Sequence, residues 1–441
     1  MGRPPEYPSL GREPRDRVRL VLVATCPMHR MIPLYRRLAD DPRIDFSVIY
    51  ASDAGVRPAA AGYGSLISWD VDLESGYRHV YLKRSKSNPI DGGFLSLRDM
   101  DVVRKLHGLR PDVVWMLGYA YLTHMLAAVS ARGRSIPVLY SDDQTLLHAR
   151  PLWKQAIKRP LLRMLLHDQR ALFVGSQNQL WFQSYGVDRA RMFHMPYACD
   201  DVLPLERDAL RGQRAELRTS LSISAEAGPV VLTVSRLIDK KQPLLLLEAF
   251  ARVRAQTQCC LLIVGSGPLE EAMREVVRQR SIPDVVFAGF INQTQIARAY
   301  AASDIFVLAS RVHETWGMAV NEAMTFDLPV ILSDKVGAAY DLVRDGYNGF
   351  VVPADRVDTL SSRIHDLVVD SDLRARLSAN ASDLLAGHTY DVAAKAVLDA
   401  TADAVGPDRW ARAPNVVVGG ATTSPVDDIP TPRSIRGTGS I

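Results

Sequence analysis

The sequence predicts an α/β protein built from two doubly wound parallel-sheet domains that face each other across a cleft. Short continuous runs of Val, Leu and Ile alternate with helix-like stretches, the pattern of strands buried on both faces of a parallel sheet. The alternation comes as two series, separated by the charged segment Asp200 to Gly228, which is poor in aromatic and β-branched residues. A chain of 441 residues, 47% of them hydrophobic, can also bury two cores and is long for one ordinary domain.

In the first series, Arg19–Ala24, Phe46–Tyr50, Val113–Leu117, Pro137–Tyr140 and Ala171–Val174 read as strands, with helices such as Leu97–Leu109 and Tyr121–Arg132 between them. In the second, the strands are Val230–Val234, Cys260–Val264, Val285–Ala288, Ile305–Leu308 and Val330–Leu332, each followed by a helix. Both halves are therefore Rossmann-like. The expected boundaries are a flexible N-terminus over 1–17, a first domain over 18–205, a linker with a short helix over 206–228 and a second domain over 229–385. A helix over 386–406 is placed to pack back on the first domain, and the Gly-, Pro- and Ser-rich tail 407–441 is expected to be disordered. Ligands of such sheets bind beyond the carboxyl ends of the strands, so the site is sought in the loops that follow them.

Composition excludes several classes. The four cysteines, Cys26, Cys199, Cys259 and Cys260, lack the spacing of a zinc site or redox pair and read as buried thiols in a reducing cytoplasm. The polar stretch Met1 to Arg17 does not resemble a signal peptide, and no run approaches the length of a membrane span. A net charge of +4 with no basic run interleaved with aromatics argues against nucleic acid as a partner. Acidic small molecules and an anionic membrane surface remain as partners.

Three loops carry candidate chemistry. Val234-Ser235-Arg236-Leu237-Ile238-Asp239-Lys240-Lys241 follows the first strand of the second series. Its Arg236 and Lys241 offer a planar fork and a compact charge, a pair able to neutralise a diphosphate, against the alternative of solvated charges. Gly265 and Gly267, in Val264-Gly265-Ser266-Gly267-Pro268, open a helix whose free N–H groups can face an anion or a ribose. The same glycines are common in structural turns. In the third loop Glu314 precedes, and Glu322 lies within, a helix expected over Gly317–Phe326. A glycosidase carboxylate pair stands about 5–9 Å apart, whereas eight helical steps cover roughly 12 Å. The two glutamates therefore suit the two ends of an extended ligand, with the helix start at Trp316 to Met318 aimed at a phosphate between them. The plainer alternative is a solvated Glu314 and a capping or paired Glu322.

Glu314 and Glu322, followed by Ala323-Met324 and Leu328-Pro329-Val330, resemble the signature of glycosyltransferase family four, the group 1 glycosyltransferases of GT-B fold. Ser235-Arg236-Leu237 with Lys241, the turn at Gly265 and Asn348-Gly349-Phe350 are similar too, in order over about residues 230–355. The resemblance implies a retaining, metal-independent transfer of a sugar from a nucleotide diphosphate donor, with no resident cofactor. Arg236 and Lys241 would hold the diphosphate, Glu314 the donor sugar and Glu322 the ribose. Thr315 and the amides of Trp316, Gly317 and Met318 would help to bind sugar and phosphate, and Gly265 and Gly267 would complete the donor site. The first domain would then take the acceptor: a sugar, a lipid-linked glycan or a small natural product.

Departures from the family fall in the first domain. A glycine-rich turn is replaced by Thr25-Cys26-Pro27-Met28-His29-Arg30, and an expected His by Ser141-Asp142-Asp143-Gln144. Asp142 or Asp143 can orient or deprotonate an acceptor hydroxyl, or simply cap a helix. Trp69-Asp70 to Gly76-Tyr77 resembles a bacterial branch of the family. The segment 152–166 is basic on one side and apolar on the other, able either to cover the first sheet or to touch the inner face of a membrane. A non-catalytic sugar-nucleotide-binding protein on the same fold is the competing function. A phosphorolytic enzyme ranks behind both, because no cofactor lysine is recognisable.

Overall fold

A computed structural model describes residues 16–57, 68–85, 93–142, 144–147, 152–199, 203–312 and 314–414. Asp143, His313, the segment 1–15 expected to be flexible, and 415–441 of the expected disordered tail lie outside the described residues. The first sheet is formed by β1 (Val18–Ala24), β2 (Ile44–Tyr50), β3 (Arg78–Tyr81), β4 (Val113–Leu117), β5 (Val138–Ser141), β6 (Arg170–Phe173) and β7 (Met192–His194). All its pairings are parallel, in the order β3-β2-β1-β4-β5-β6-β7. The second contains β8 (Val230–Val234), β9 (Cys260–Val264), β10 (Val285–Gly289), β11 (Ile305–Leu308), β12 (Val330–Ser333) and β13 (Gly349–Val352), parallel in the order β10-β9-β8-β11-β12-β13.

The apolar runs are continuous because both faces of each sheet are covered. Along β1, Leu20 and Leu22 enter one core while Val21 and Val23 enter another. Around the first sheet lie α1 (Ile32–Asp40), α2 (Asp101–Leu109), α3 (Leu122–Arg132), α4 (Leu152–Leu166) and α5 (Ser176–Ser184). In α4, Leu162, Leu165 and Leu166 are buried in the first-domain core, and Leu161 and Met164 are exposed. The covering role is thus filled by this helix. No helix among the described residues is long and apolar enough to cross a membrane.

The expected linker is a structured part of the second domain. It folds as α6 (Leu203–Gly212) and α7 (Arg214–Ser220). Arg211 donates to the Phe326 carbonyl and Asp327, while Arg214 and Arg218 converge on Asp304, which also accepts from the Val230 amide. The arginines of this charged segment therefore fasten it to the second domain. There follow α8 (Pro243–Arg254), α9 (Glu270–Arg280), α10 (Ile296–Ala301), α11 (Ala319–Thr325), α12 (Ala339–Leu342), α13 (Val357–Val369) and α14 (Ser371–Ala379).

The chain then returns to the first domain through α15 (Tyr390–Val405), which buries Tyr390, Ala393, Val397 and Ala400 and packs on α1, β6 and β7. Its ends are tied by Arg37 to Asp391 and Arg170 to Asp403, each at 2.7 Å. The tail does not become irregular at 407 as expected. It continues as α16 (Pro407–Ala411), with Arg43 over the Trp410 ring and Arg409 donating to the Arg17 carbonyl.

Candidate active site

Where the two sheets face each other, the loops after β8, β9, β10 and β11 enclose a cavity of about 430 Å³. From the second domain it is lined by Arg236, Lys240, Lys241, Gly265, Glu314 and the stretch Thr315 to Ala319, with Glu322 at the helix beyond. Of the described residues singled out from sequence as site residues, only Asp142 and Gly267 are missing from its walls.

Their absence has simple causes. Asp142 follows β5, and its backbone carbonyl accepts a hydrogen bond from Asn178 Nδ2 at 2.9 Å, which fixes that turn to α5. Gly267 lies against the backbone of Leu237, whose carbonyl oxygen a Cβ would meet at 2.5 Å. Gly265 lies closer still to the Ser235 carbonyl, at φ +131°, a region few side chains tolerate. The two glycines therefore let the β8 and β9 loops interlock, and only Gly265 also reaches the cavity.

The centre of the second-domain wall is an ion pair between Lys241 and Glu314, both nearly buried. Ser310 Oγ donates to the same carboxylate at 3.0 Å. Burial by itself would raise the Glu314 carboxyl, but Lys241, Lys240 and the Ser310 hydroxyl outweigh it and hold the group below its ordinary value. Glu314 is an anion here. Lys240, present in the quoted motif but not singled out, also faces the cavity, and burial lowers it despite the attraction of Glu314.

Glu322 is a different kind of carboxyl. It accepts from Tyr300 Oη at 2.6 Å, and burial, only partly offset by that bond, pushes it up to about 7. It is the fourth residue of α11, a helix of seven residues that begins at Ala319, later than the expected start at Gly317. Gly317 instead adopts φ +94°, turning the chain beside the cavity. Thr315 and Trp316 are held by the loop after β12: the Gly337 amide donates to the Glu314 carbonyl and the Ala338 amide to the Trp316 carbonyl, both at 3.0 Å. A side chain at Gly337 would overlap the Thr315 carbonyl, so this closeness requires glycine.

The first domain contributes His29, Arg30, Trp69 and Tyr197, none of them singled out as site residues from sequence. His29 and Arg30 come from the turn that replaces the expected glycine-rich one. The His29 ring sits 3.9 Å from that of Trp69, and burial followed by the Arg30 charge lowers it to about 3, so it is a neutral imidazole. Trp316 Nε1 donates to Asn321 Oδ1, and Asn321 Nδ2 donates in turn to the Tyr197 carbonyl of the first domain. Across the same interface Ser176 N and Oγ both donate to Asp341 at 3.1 Å. Burial raises that carboxyl to about 6, Ser176 opposing the rise. Among the described residues, no group of three or more His, Cys, Asp or Glu is arranged to hold a metal.

Two parallel-sheet domains that face each other across a cavity correspond to the GT-B architecture, and solved structures agree. A glycosyltransferase from Rickettsia africae superposes with a TM-score of 0.68 at 13% identity, over 88% of this chain and 99% of that one. Anabaena Alr3699/HepE in complex with UDP and glucose gives 0.66 at 16%, over 88% and 100%. Residues 218–384 match the family model described as Glycosyl transferases group 1. Among curated proteins, the chain is 30% identical over 197 residues to alpha-D-kanosaminyltransferase of Streptomyces kanamyceticus, covering 44% of this chain and 49% of that protein. It is 27% identical over 233 residues to the GDP-mannose-dependent alpha-(1-6)-phosphatidylinositol monomannoside mannosyltransferase of Mycobacterium tuberculosis, covering 50% and 59%. The chain spans about half the length of the curated relatives it matches.

Proposed function

We propose that the protein is a retaining glycosyltransferase that moves a sugar from a nucleoside diphosphate donor to a hydroxyl of a sugar, a lipid-linked glycan or a small natural product. The observation that carries this reading is the buried Lys241–Glu314 pair flanked by Arg236 and Lys240 at the carboxyl ends of β8 and β11. Three cations lining one cavity suit a diphosphate leaving group, which gains negative charge as the glycosidic C–O bond breaks. They supply that stabilisation without a metal. Glu314, held ionised, is an acceptor for donor-sugar hydroxyls, and Glu322 for those of the ribose. In the transfer the acceptor oxygen bonds to the anomeric carbon on the face the diphosphate leaves. Its proton passes to the departing phosphate oxygen, so no protein nucleophile is needed.

The relatives support the substrate classes: one is named for transfer of an amino sugar, another for mannose transfer from GDP-mannose to a lipid, and the Anabaena structure holds UDP and glucose. Titration with UDP, GDP, ADP and dTDP and their sugars should reveal one that binds and is turned over. Arg236→Ala and Glu314→Ala should each abolish transfer with circular dichroism unchanged; wild-type turnover in either defeats these roles. Tight donor binding without turnover across many acceptors would instead identify a non-catalytic binding protein. The product anomer, read by NMR, tests retention, and an unchanged rate in EDTA tests metal independence.

A further inference from the structure

The segment Ser68–Asp70 belongs to the first domain, yet it is held by the second. Asn292 Nδ2 donates to the Ser68 carbonyl at 2.8 Å. Thr294 donates to the Asp70 carboxylate with its amide, at 3.2 Å, and with its hydroxyl. Between these anchors Trp69 lines the cavity, backed by His29 and set edge-on to Phe290 with ring centroids 5.9 Å apart. Loops of the two domains thus meet around one indole.

The place of this ring in the cavity indicates what it meets. Phe290 follows β10, whereas Glu314 follows β11, and β9 and β8 lie between those strands in the sheet. At about 4.8 Å per strand the two ends are about 14 Å apart. The Lys241–Glu314 end has the charges for a sugar and a diphosphate. The Trp69–Phe290 end has aromatic and apolar surface, with the Gln293 side of the same loop also lining the cavity. A planar heterocycle is the part of an extended donor that such a surface receives, since its π-face stacks on an indole.

We propose that Trp69 is a specificity-determining residue that stacks on the nucleobase of the donor, and that the strap Ser68–Asp70 makes donor affinity depend on contact between the domains. This rests on the donor reading above, and the test separates the two. Affinities of the full chain for the nucleoside diphosphate it prefers and for inorganic pyrophosphate, which has no base, are measured by calorimetry. Trp69→Leu should weaken the nucleoside diphosphate about tenfold and leave pyrophosphate unchanged, while Trp69→Phe should keep most of the affinity. Asp70→Ala, which removes the carboxylate that accepts from Thr294 without touching the ring, should show the same base-dependent loss to a smaller degree. Equal affinity of wild type and Trp69→Leu for the nucleoside diphosphate overturns the proposal. So does an equal loss for pyrophosphate, which would make Trp69 a packing residue, or a loss seen only in the KM for acceptor. If wild type binds no nucleoside diphosphate, the donor reading itself fails.

Discussion

On the second-domain side of the cavity the backbone does the fitting. Gly265 is pressed against the Ser235 carbonyl and Gly337 against that of Thr315, and within this frame Lys241 and Glu314 are buried together. On the first-domain side the wall consists of side chains extended from loops: His29, Arg30, Trp69 and Tyr197. One wall is a mould set by close backbone contacts, the other an arrangement completed by contacts between the domains. Changes to the mould should therefore cost stability as well as activity, while changes to the opposite wall should act on closure and ligand affinity.

The largest effect is expected at the mould. Lys241→Met leaves the Glu314 carboxylate buried without its main partner and should destabilise the chain by about 3–5 kcal/mol in urea unfolding. A loss under 1 kcal/mol would mean that Lys240 takes over the pairing, and the mould would then be more adaptable than described. Glu322 provides the next test. Its folded value of about 7 lies above that of a free carboxyl, so its ionised form is the disfavoured one in the folded chain. Relative to Glu322→Gln, wild type should lose about 3 kcal/mol as pH rises from about 4.5 to 7 and no more above that. A flat difference between the two unfolding series would show the carboxyl to be unperturbed. The smallest effect is expected across the interface. Ser176→Ala removes one donor to Asp341 while the amide remains, so stability should fall by only about 1 kcal/mol, and small-angle scattering should show a more open average form. An unchanged scattering curve would remove this bond from the closure contacts.

The same contrast explains what was legible in the sequence. The second wall is built from residues close along the chain, Arg236 to Lys241 and Glu314 to Glu322, so spacing and motif placed its main members together. The first wall depends on contacts such as Asp70 with Thr294, 224 residues apart, for which periodicity carries no signal. The sheets were readable where strands are long and apolar. β3, with the polar sequence Arg78-His79-Val80-Tyr81, and the three-residue β7 were missed because neither has the buried run that marks a central strand. β13 was seen only as Asn348-Gly349-Phe350 of a motif. The segment carrying α6 and α7 looked like a linker because it is charged and poor in aromatic and β-branched residues, and only the fold reveals the Asp304 and Asp327 carboxylates that receive its arginines. Asp142 and Gly267 were placed in the site by proximity to strand ends, a criterion that does not distinguish a wall from the packing behind it.

The return of α15 to the first sheet has a consequence for the order in which the molecule is completed. β7 ends at His194, but the helix that covers β6 and β7 begins at Tyr390, about 200 residues later. At ordinary rates of synthesis that interval is roughly 10–40 s. By its end the second domain has all of its own strands, while the face of the first sheet that receives Ala393, Val397 and Ala400 still lacks its covering helix. The half of the molecule made first is thus the half whose covering helix, residues 390–405, comes last.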